Sequence, residues 1–479
     1  MTTSTAGEGA RVGGLGGWLP TWAPEDAQFW AAEGKQRAWL TLALTTLGLI
    51  ASFATWFVFS AVAVRLPGIG FKFDTMQLFW LSAMPGLSGG TLRLIHSFLV
   101  PIYGTRLTIS VATFLKIFPM LWLGVAVQNP DTPYLHFLIV AFLCGMGGGD
   151  FSSFMPSTSV FFPKRLQGTA LGLQAGIGNL GVSIVQFVTP WIIGFPLLSA
   201  FGGSQVLTKG DTHKDVWLQN AAFWYVPYLA VAGVLCFMFL RSVPGKKPAV
   251  TDMLKSMVTD KHVWFCVITY VMTFGTFSGL AAAFPLMIKS IYGGFPDAPD
   301  PLKYAFLGPL VGSLVRFAGG PLADKYGGSI WTQVSGAGLI LGSLALIFGG
   351  YLTPTGPEQF SGFVWIMLFL FLSAGIGNFA TFRQYPIVFA YDARKGAQVL
   401  GWTGAWAAYG PLLFSSLIGA SISAFGSANA FFGGACVFFV VGSAINWWCY
   451  TRPGGERCDY GSWKGTWWDK AKDSWSAKS

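Results

Sequence analysis

Polar residues punctuate this chain rather than alternating with apolar ones. Mostly apolar stretches run at roughly 38–63, 76–100, 107–128, 133–155, 168–195, 220–240, 262–288, 304–323, 329–351, 361–382, 397–420 and 427–450. A helix of about 20 apolar residues matches the hydrocarbon core of a bilayer, and it satisfies every backbone N–H and C=O within itself. The pattern therefore predicts an all-α membrane protein of twelve transmembrane helices. The charged stretch "RSVPGKKPAVTDMLKSMVTDK" (241–261) separates the first six from the last six. The expected organisation is an N-terminal segment 1–36, a six-helix half 37–242, a linker 243–261, a second six-helix half 262–450 and a tail 451–479.

Basic residues orient the spans. Lys35, Arg37, Arg106, Lys164, Arg165, the linker, Lys325, Arg394, Lys395 and the tail from Arg452 fall on one side. By the positive-inside rule that side, with both termini, is cytoplasmic. No apolar h-region precedes the first span, so no signal peptide is expected.

The halves repeat. At an offset of 223 residues "GGTLRLIHSFLVPIYG" (89–104) falls on "GSLVRFAGGPLADKYG" (312–327), so that Arg93 meets Arg316 and Tyr103-Gly104 meets Tyr326-Gly327. A similar offset lays "GGDFSSF" (148–154) over "IGNFATF" (376–382), matching Phe151 to Phe379 and Phe154 to Phe382. The reading is a parallel duplication into two pseudo-symmetric six-helix halves, with substrate bound near the bilayer midplane between them.

Composition narrows the classes. Of 479 residues 53% are hydrophobic and 10% charged, against about 25% charged in soluble domains. The net charge of +10 lies in loops and tails, with no basic-aromatic face to follow a phosphate backbone, so nucleic acid is excluded as a partner. The six cysteines form neither a disulfide framework nor, with histidine, a metal site. No nucleophile–base pair or phosphate loop argues for an enzyme, and no cofactor is implied. "GIGNLG" (176–181) has dinucleotide-fingerprint spacing but lies inside an apolar span with no strand before it. Small residues at 168, 172, 176 and 178 instead suit close helix approach, with Gly176 and Gly178 allowing helices to slide.

An arginine deep in a span costs about 2.5–3.5 kcal/mol unless something answers it. Arg93 and Arg316 are expected to face one cavity, their few neighbouring carboxylates being Asp150 and Asp324. A guanidinium is planar, permanently charged and forked, which suits a flat oxyanion. Phosphate and sulfate esters fit such a fork too, but walls of Phe151, Tyr270 and Phe274 favour a small, flat, weakly hydrated ion, a description that nitrate and nitrite meet. Lys116 is expected to pair or snorkel, and His96 to take a hydrogen bond.

"GTALGLQAGIGNLG" (168–181) resembles the first nitrate signature of the NarK-type nitrate/nitrite porter family of the major facilitator superfamily. "WLPTWAPEDAQFW", "FSAVAVRLP" and "VFFPKRLQG" are similar to that family as well, up to about residue 390. "GGPLADKYGG" (319–328) looks like the superfamily's gating motif, with Asp324 as its acid. The resemblance implies that Arg93 and Arg316 hold the anion, and that Phe151, Asn179, Tyr270 and Phe274 complete the site. The second signature is altered to "GWTGAWAAYGPLL" (401–413), and Asp150 stands where relatives carry asparagine. Together these imply a monomeric, multi-pass protein of the bacterial inner membrane moving nitrate and nitrite by alternating access. Exchange is favoured, because fixed arginine charges hinder return of an empty carrier. Proton–nitrate symport through Asp150 or His96 stays open, as does a non-transporting nitrate sensor on the same scaffold.

Overall fold

The computed structural model describes residues 4–5, 13–197, 201–209, 212–244 and 257–459. The rest of the expected N-terminal segment, linker residues 245–256 and the tail beyond Asp459 lie outside them.

Ten helices are long and apolar enough to cross a membrane, or eleven if the bent pair Leu302–Ala318 and Gly320–Tyr326 counts as one span, among the described residues. One of the ten is a 52-residue stretch, Thr75–Ala126. It turns at Gly104, where φ is 81°, and so supplies two of the twelve expected spans. In chain order the spans are α1 Ala27–Trp56, α2 75–103, α3 105–126, α4 Tyr134–Ser159, α5 Lys164–Ile192 and α6 Asn220–Phe239. They continue as α7 Lys261–Tyr292, the bent pair as α8, α9 Gly328–Phe348, α10 Gln359–Val388, α11 Gln398–Phe425 and α12 Asn429–Thr451. A short antiparallel hairpin, Gln205–Lys209 with Thr212–Val216, joins α5 to α6.

The chain divides into two compact units, Met1–Lys72 with Leu87–Asp252 and Phe73–Gly86 with Met253–Ser479. In the first, Asp26 caps α1 by accepting the N–H groups of Gln28 and Phe29 at 2.8 and 2.9 Å. Glu25 accepts the Lys164 N–H at the start of α5 at 2.9 Å. Trp22 and Trp30 pack against Phe161 and Phe162. Two stretches far apart in sequence, "WLPTWAPEDAQFW" and "VFFPKRLQG", thus make one cap over the ends of α1, α4 and α5.

The glycines of α5 divide in a way the sequence did not predict. Gly168 and Gly172 face open space, so they bring no backbone close. The close approach is further along: a side chain at Gly178 would strike Leu49, and one at Gly181 would strike the backbone of Ile50 and Ala54 on α1. Gly176 is buried beside them.

In the second unit Asp260 caps α7, accepting the His262 N–H at 2.9 Å and the Lys395 ammonium at 2.6 Å. Burial raises the pKa of this carboxyl, but the Lys395 and His262 hydrogen bonds outweigh it and leave the group below its ordinary value. The most apolar windows of α7 and α12 differ in setting, being 94% and 33% buried. Interior and lipid-facing helices therefore read alike by hydropathy.

Each unit makes one sharp turn at the repeated Tyr-Gly. Gly104 and Gly327 have φ of 81° and 91°, a left-handed region that costs glycine little. Chain beyond the unit's last span secures each turn. Ser242 Oγ accepts the Arg106 N–H at 3.2 Å and donates to the Gly16 carbonyl at 2.6 Å. Asp459, fully buried, accepts the N–H groups of Gly328 and Ser329 at 2.9 and 3.0 Å, which satisfies orphan donors at the N-terminus of α9. Burial pushes its carboxyl up against the pull of these donors and Arg383.

Candidate functional site

In the first unit Arg93 lies in α2 with no exposed surface. Its Nε donates to the Gly148 carbonyl at 2.8 Å, and its guanidinium lies 4.8 Å from the Phe151 ring centre and 5.3 Å from that of Trp56. The glycine run of α4 permits this. A side chain at Gly148 would strike the Trp56 ring at 2.6 Å and the Gly89 backbone at 3.0 Å, so only glycine lets α4 come near enough to offer its carbonyl.

Asp150, one residue before Phe151, is also buried. It forms an ion pair with the fully buried Lys116 ammonium and accepts the Ser52 hydroxyl at 2.6 Å. Lys116 donates as well to the Ala112 carbonyl at 2.8 Å. His96 Nδ1 is 3.7 Å from the second oxygen of Asp150 and 3.0 Å from the Ser153 hydroxyl. Lys116 therefore pairs, as one of its two expected fates, and the carboxylate that could have offset Arg93 is already engaged. Asn179, on α5, is fully buried, and neither amide atom has a hydrogen-bond partner among the described residues.

In the second unit Arg316 lies in α8 and is 7% exposed. Its guanidinium is 4.6 Å from the ring centre of Phe382 and 5.7 Å from that of Phe274, while Nη1 and Nη2 have no hydrogen-bond partner among the described residues. Tyr270 stacks on Phe274 at 5.5 Å and 15° and reaches Phe382 at 5.8 Å. Phe274 belongs to a π-helical turn, Val271–Gly275, an irregularity common at functional sites. Rings that cover a guanidinium's faces hold it by cation–π attraction and leave its N–H edge as the place for a ligand.

Repeat matching placed Phe379 opposite Phe151, but the ring on Arg316 is Phe382, one helical turn on. Phe379 instead fills the space beside Gly319. Sequence reading passed over Trp56 and the Gly148 carbonyl, which lie on other helices with no motif of their own. It also passed over Asn378, although "AGIGN" occurs at both 175–179 and 374–378. Asn378 is fully buried on α10, and its two amide atoms have no partner among the described residues. Asp324, 77% exposed, lies 3.6 Å from Arg383 Nε.

A family profile described as Major Facilitator Superfamily matches residues 44–395. The chain is 52% identical over 444 residues to the probable nitrate/nitrite antiporter NarK2 of Thermus thermophilus, covering 92% of this chain and 98% of that one. It is 36% identical over 453 residues to the nitrate/nitrite transporter NarU of Escherichia coli (strain K12), covering 91% and 96%. Identity to the nitrite extrusion protein of Bacillus subtilis (strain 168) is 26% over 388 residues, covering 80% and 89%.

Proposed function

This chain belongs to the major facilitator superfamily, in its NarK-type nitrate/nitrite porter branch, and from that premise we propose that it exchanges nitrate for nitrite by alternating access. The observation that carries the reading is Arg316, a buried guanidinium whose faces are covered by Phe274 and Phe382 and whose Nη donors have no protein partner among the described residues. A buried cation of that kind calls for an anion, and the exposed edge of a fork suits two coplanar oxygens. Arg93, at the equivalent rank in the other unit, supplies the second fork. Phe151, Asn179, Tyr270 and Phe274 line the anion. Gly176 and Gly178 give α5 room to move on α1, and Asp324 with Arg383 latches the cytoplasmic turn.

Fixed positive charge also accounts for exchange. Arginine stays protonated at every relevant pH, and carrying unpaired charge through a closed state is costly. A bound monoanion offsets part of that cost on each passage. Asp150 is engaged by Lys116 and Ser52 and is not a spare counter-ion, which supports exchange over symport. The relative named as an antiporter supports it too. The protein works as a monomer in the bacterial inner membrane with both termini cytoplasmic, a topology supported by its loop lysines and arginines.

Purified protein in proteoliposomes tests this reading. Labelled nitrate should enter only when nitrite or nitrate is inside, whatever the pH gradient. Accumulation driven by an inward proton gradient without internal anion, and lost in Asp150→Asn or His96→Gln, would mean symport. Anion binding without flux would mean a receptor.

A further inference from the structure

Asn378 has no role in the site just described. Its position on α10 is bracketed by two contacts with α8. On one side Gly375 touches the Gly312 backbone, where an added Cβ would stand 2.6 Å from the Gly312 oxygen. On the other Phe382 covers the Arg316 guanidinium at 4.6 Å. Residues three and four apart share a helix face, so 375, 378 and 382 lie together, and Asn378 is one turn from the ring on Arg316. Gly312 is likewise one turn before Arg316.

Two sets of orphaned polar atoms thus lie on neighbouring turns of one helix pair: Arg316 Nη1 and Nη2, and Asn378 Nδ2 and Oδ1. A buried amide with neither end answered costs stability. An oxyanion on the Arg316 edge supplies the acceptor that its Nδ2–H lacks.

We infer that Asn378 is an anion ligand of the second unit, donating its amide N–H to an oxygen of the oxyanion held by Arg316. The inference rests on the function proposed above and adds a residue to it. A fork on Arg316 occupies two oxygens, and the amide reaches a third contact that a flat trigonal oxyanion can offer in the same plane. Because the donor is neutral, the ligand gains direction from it without the desolvation cost of another buried charge.

Asn378→Leu keeps the volume and removes both polar groups. The anion-free protein in detergent should melt at the same temperature or higher, since an unanswered amide is gone. The KM for nitrate uptake into nitrite-loaded proteoliposomes should rise about tenfold, the loss expected for a hydrogen bond to a charged group, while turnover at saturating nitrate changes less. Asn378→Asp sets a carboxylate beside the guanidinium and should abolish the nitrate-induced rise in melting temperature. The inference is overturned if Asn378→Leu keeps the wild-type KM and melting shift. It is overturned equally if that variant loses anion-free stability with KM unchanged, the mark of a packing residue. Failure of the underlying reading looks different, because then the wild type itself responds to neither nitrate nor nitrite. Formate, bicarbonate and phosphate are run alongside. If one of them shifts the wild type, the same comparison with that ion decides Asn378, and if none does, both ideas fall.

Discussion

The two repeated arginines have been given different company. Arg93 is tied to a backbone carbonyl and shares its neighbourhood with a buried carboxylate, a buried ammonium, a histidine and two serines. Arg316 has aromatic faces and a neutral amide one turn away. Duplication preserved the cation and its aromatic cover but not the polar groups around it. In the first unit Asp150 answers Lys116, whereas in the second Arg316 Nη1 and Nη2 have no hydrogen-bond partner among the described residues. Arg93, tied to the Gly148 carbonyl, therefore reads as the better-fixed of the two arginines.

Breaking the Lys116–Asp150 pair should do most damage. Lys116→Met strands the Asp150 carboxylate in a dry interior and should lower stability by about 3–5 kcal/mol, measured as a fall in melting temperature in detergent. Lys116→Met with Asp150→Asn should recover most of it. Arg316→Met has no partner to strand and should leave melting unchanged or raised while abolishing flux. If it destabilises as strongly as Lys116→Met, the contrast between the units is wrong.

Next in size is the fork. Arg93→Lys and Arg316→Lys keep the charge but lose bidentate geometry, so nitrate exchange should fall at least tenfold, about 1.4 kcal/mol. Near-normal uptake by both variants would show that charge alone suffices.

A smaller effect compares the two turns. Asp459→Ala removes the acceptor for two α9 N–H groups and should cost about 1 kcal/mol, as lost helix caps do. Ser242→Ala, which loses a neutral hydroxyl, should cost less. Equal losses would mean that the charge of Asp459 adds nothing.

The smallest concerns acid. Because the folded-state pKa of Asp260 is lowered, its stabilisation is complete above the ordinary carboxylate range and is lost as pH falls through the lowered value. Asp260→Asn should shallow the acid limb of a melting-temperature profile by a few tenths of a kcal/mol, typical of a partly exposed pair. An unchanged profile would remove the contribution of the Lys395 contact.

Span lengths and the 223-residue repeat made the membrane architecture legible, since hydrocarbon thickness and backbone hydrogen bonding leave few alternatives. Arg93, Arg316, Phe274 and Tyr270 were singled out by chemistry or resemblance, and the last three lie together in the second unit. What escaped was pairing across helices. No local signal reports that Lys116 on α3 meets Asp150 on α4, or that Phe382 and not Phe379 covers Arg316, because a one-turn shift leaves an aromatic spacing nearly intact. Gly168 and Gly172 of α5 failed for a related reason. Small residues at helical spacing permit close approach but do not say which of them has a neighbour.

The closures at Gly104 and Gly327 also put the units on different clocks. The residue that secures the first turn is Ser242, and the residue that secures the second is Asp459, 217 residues later. At ribosomal speeds of about 5–20 residues per second, that separation is roughly 10–40 s. The first unit can fasten its turn while much of the second is still being synthesised. The second must hold the α8–α9 turn with bare helix-end N–H groups until its own Asp459 arrives.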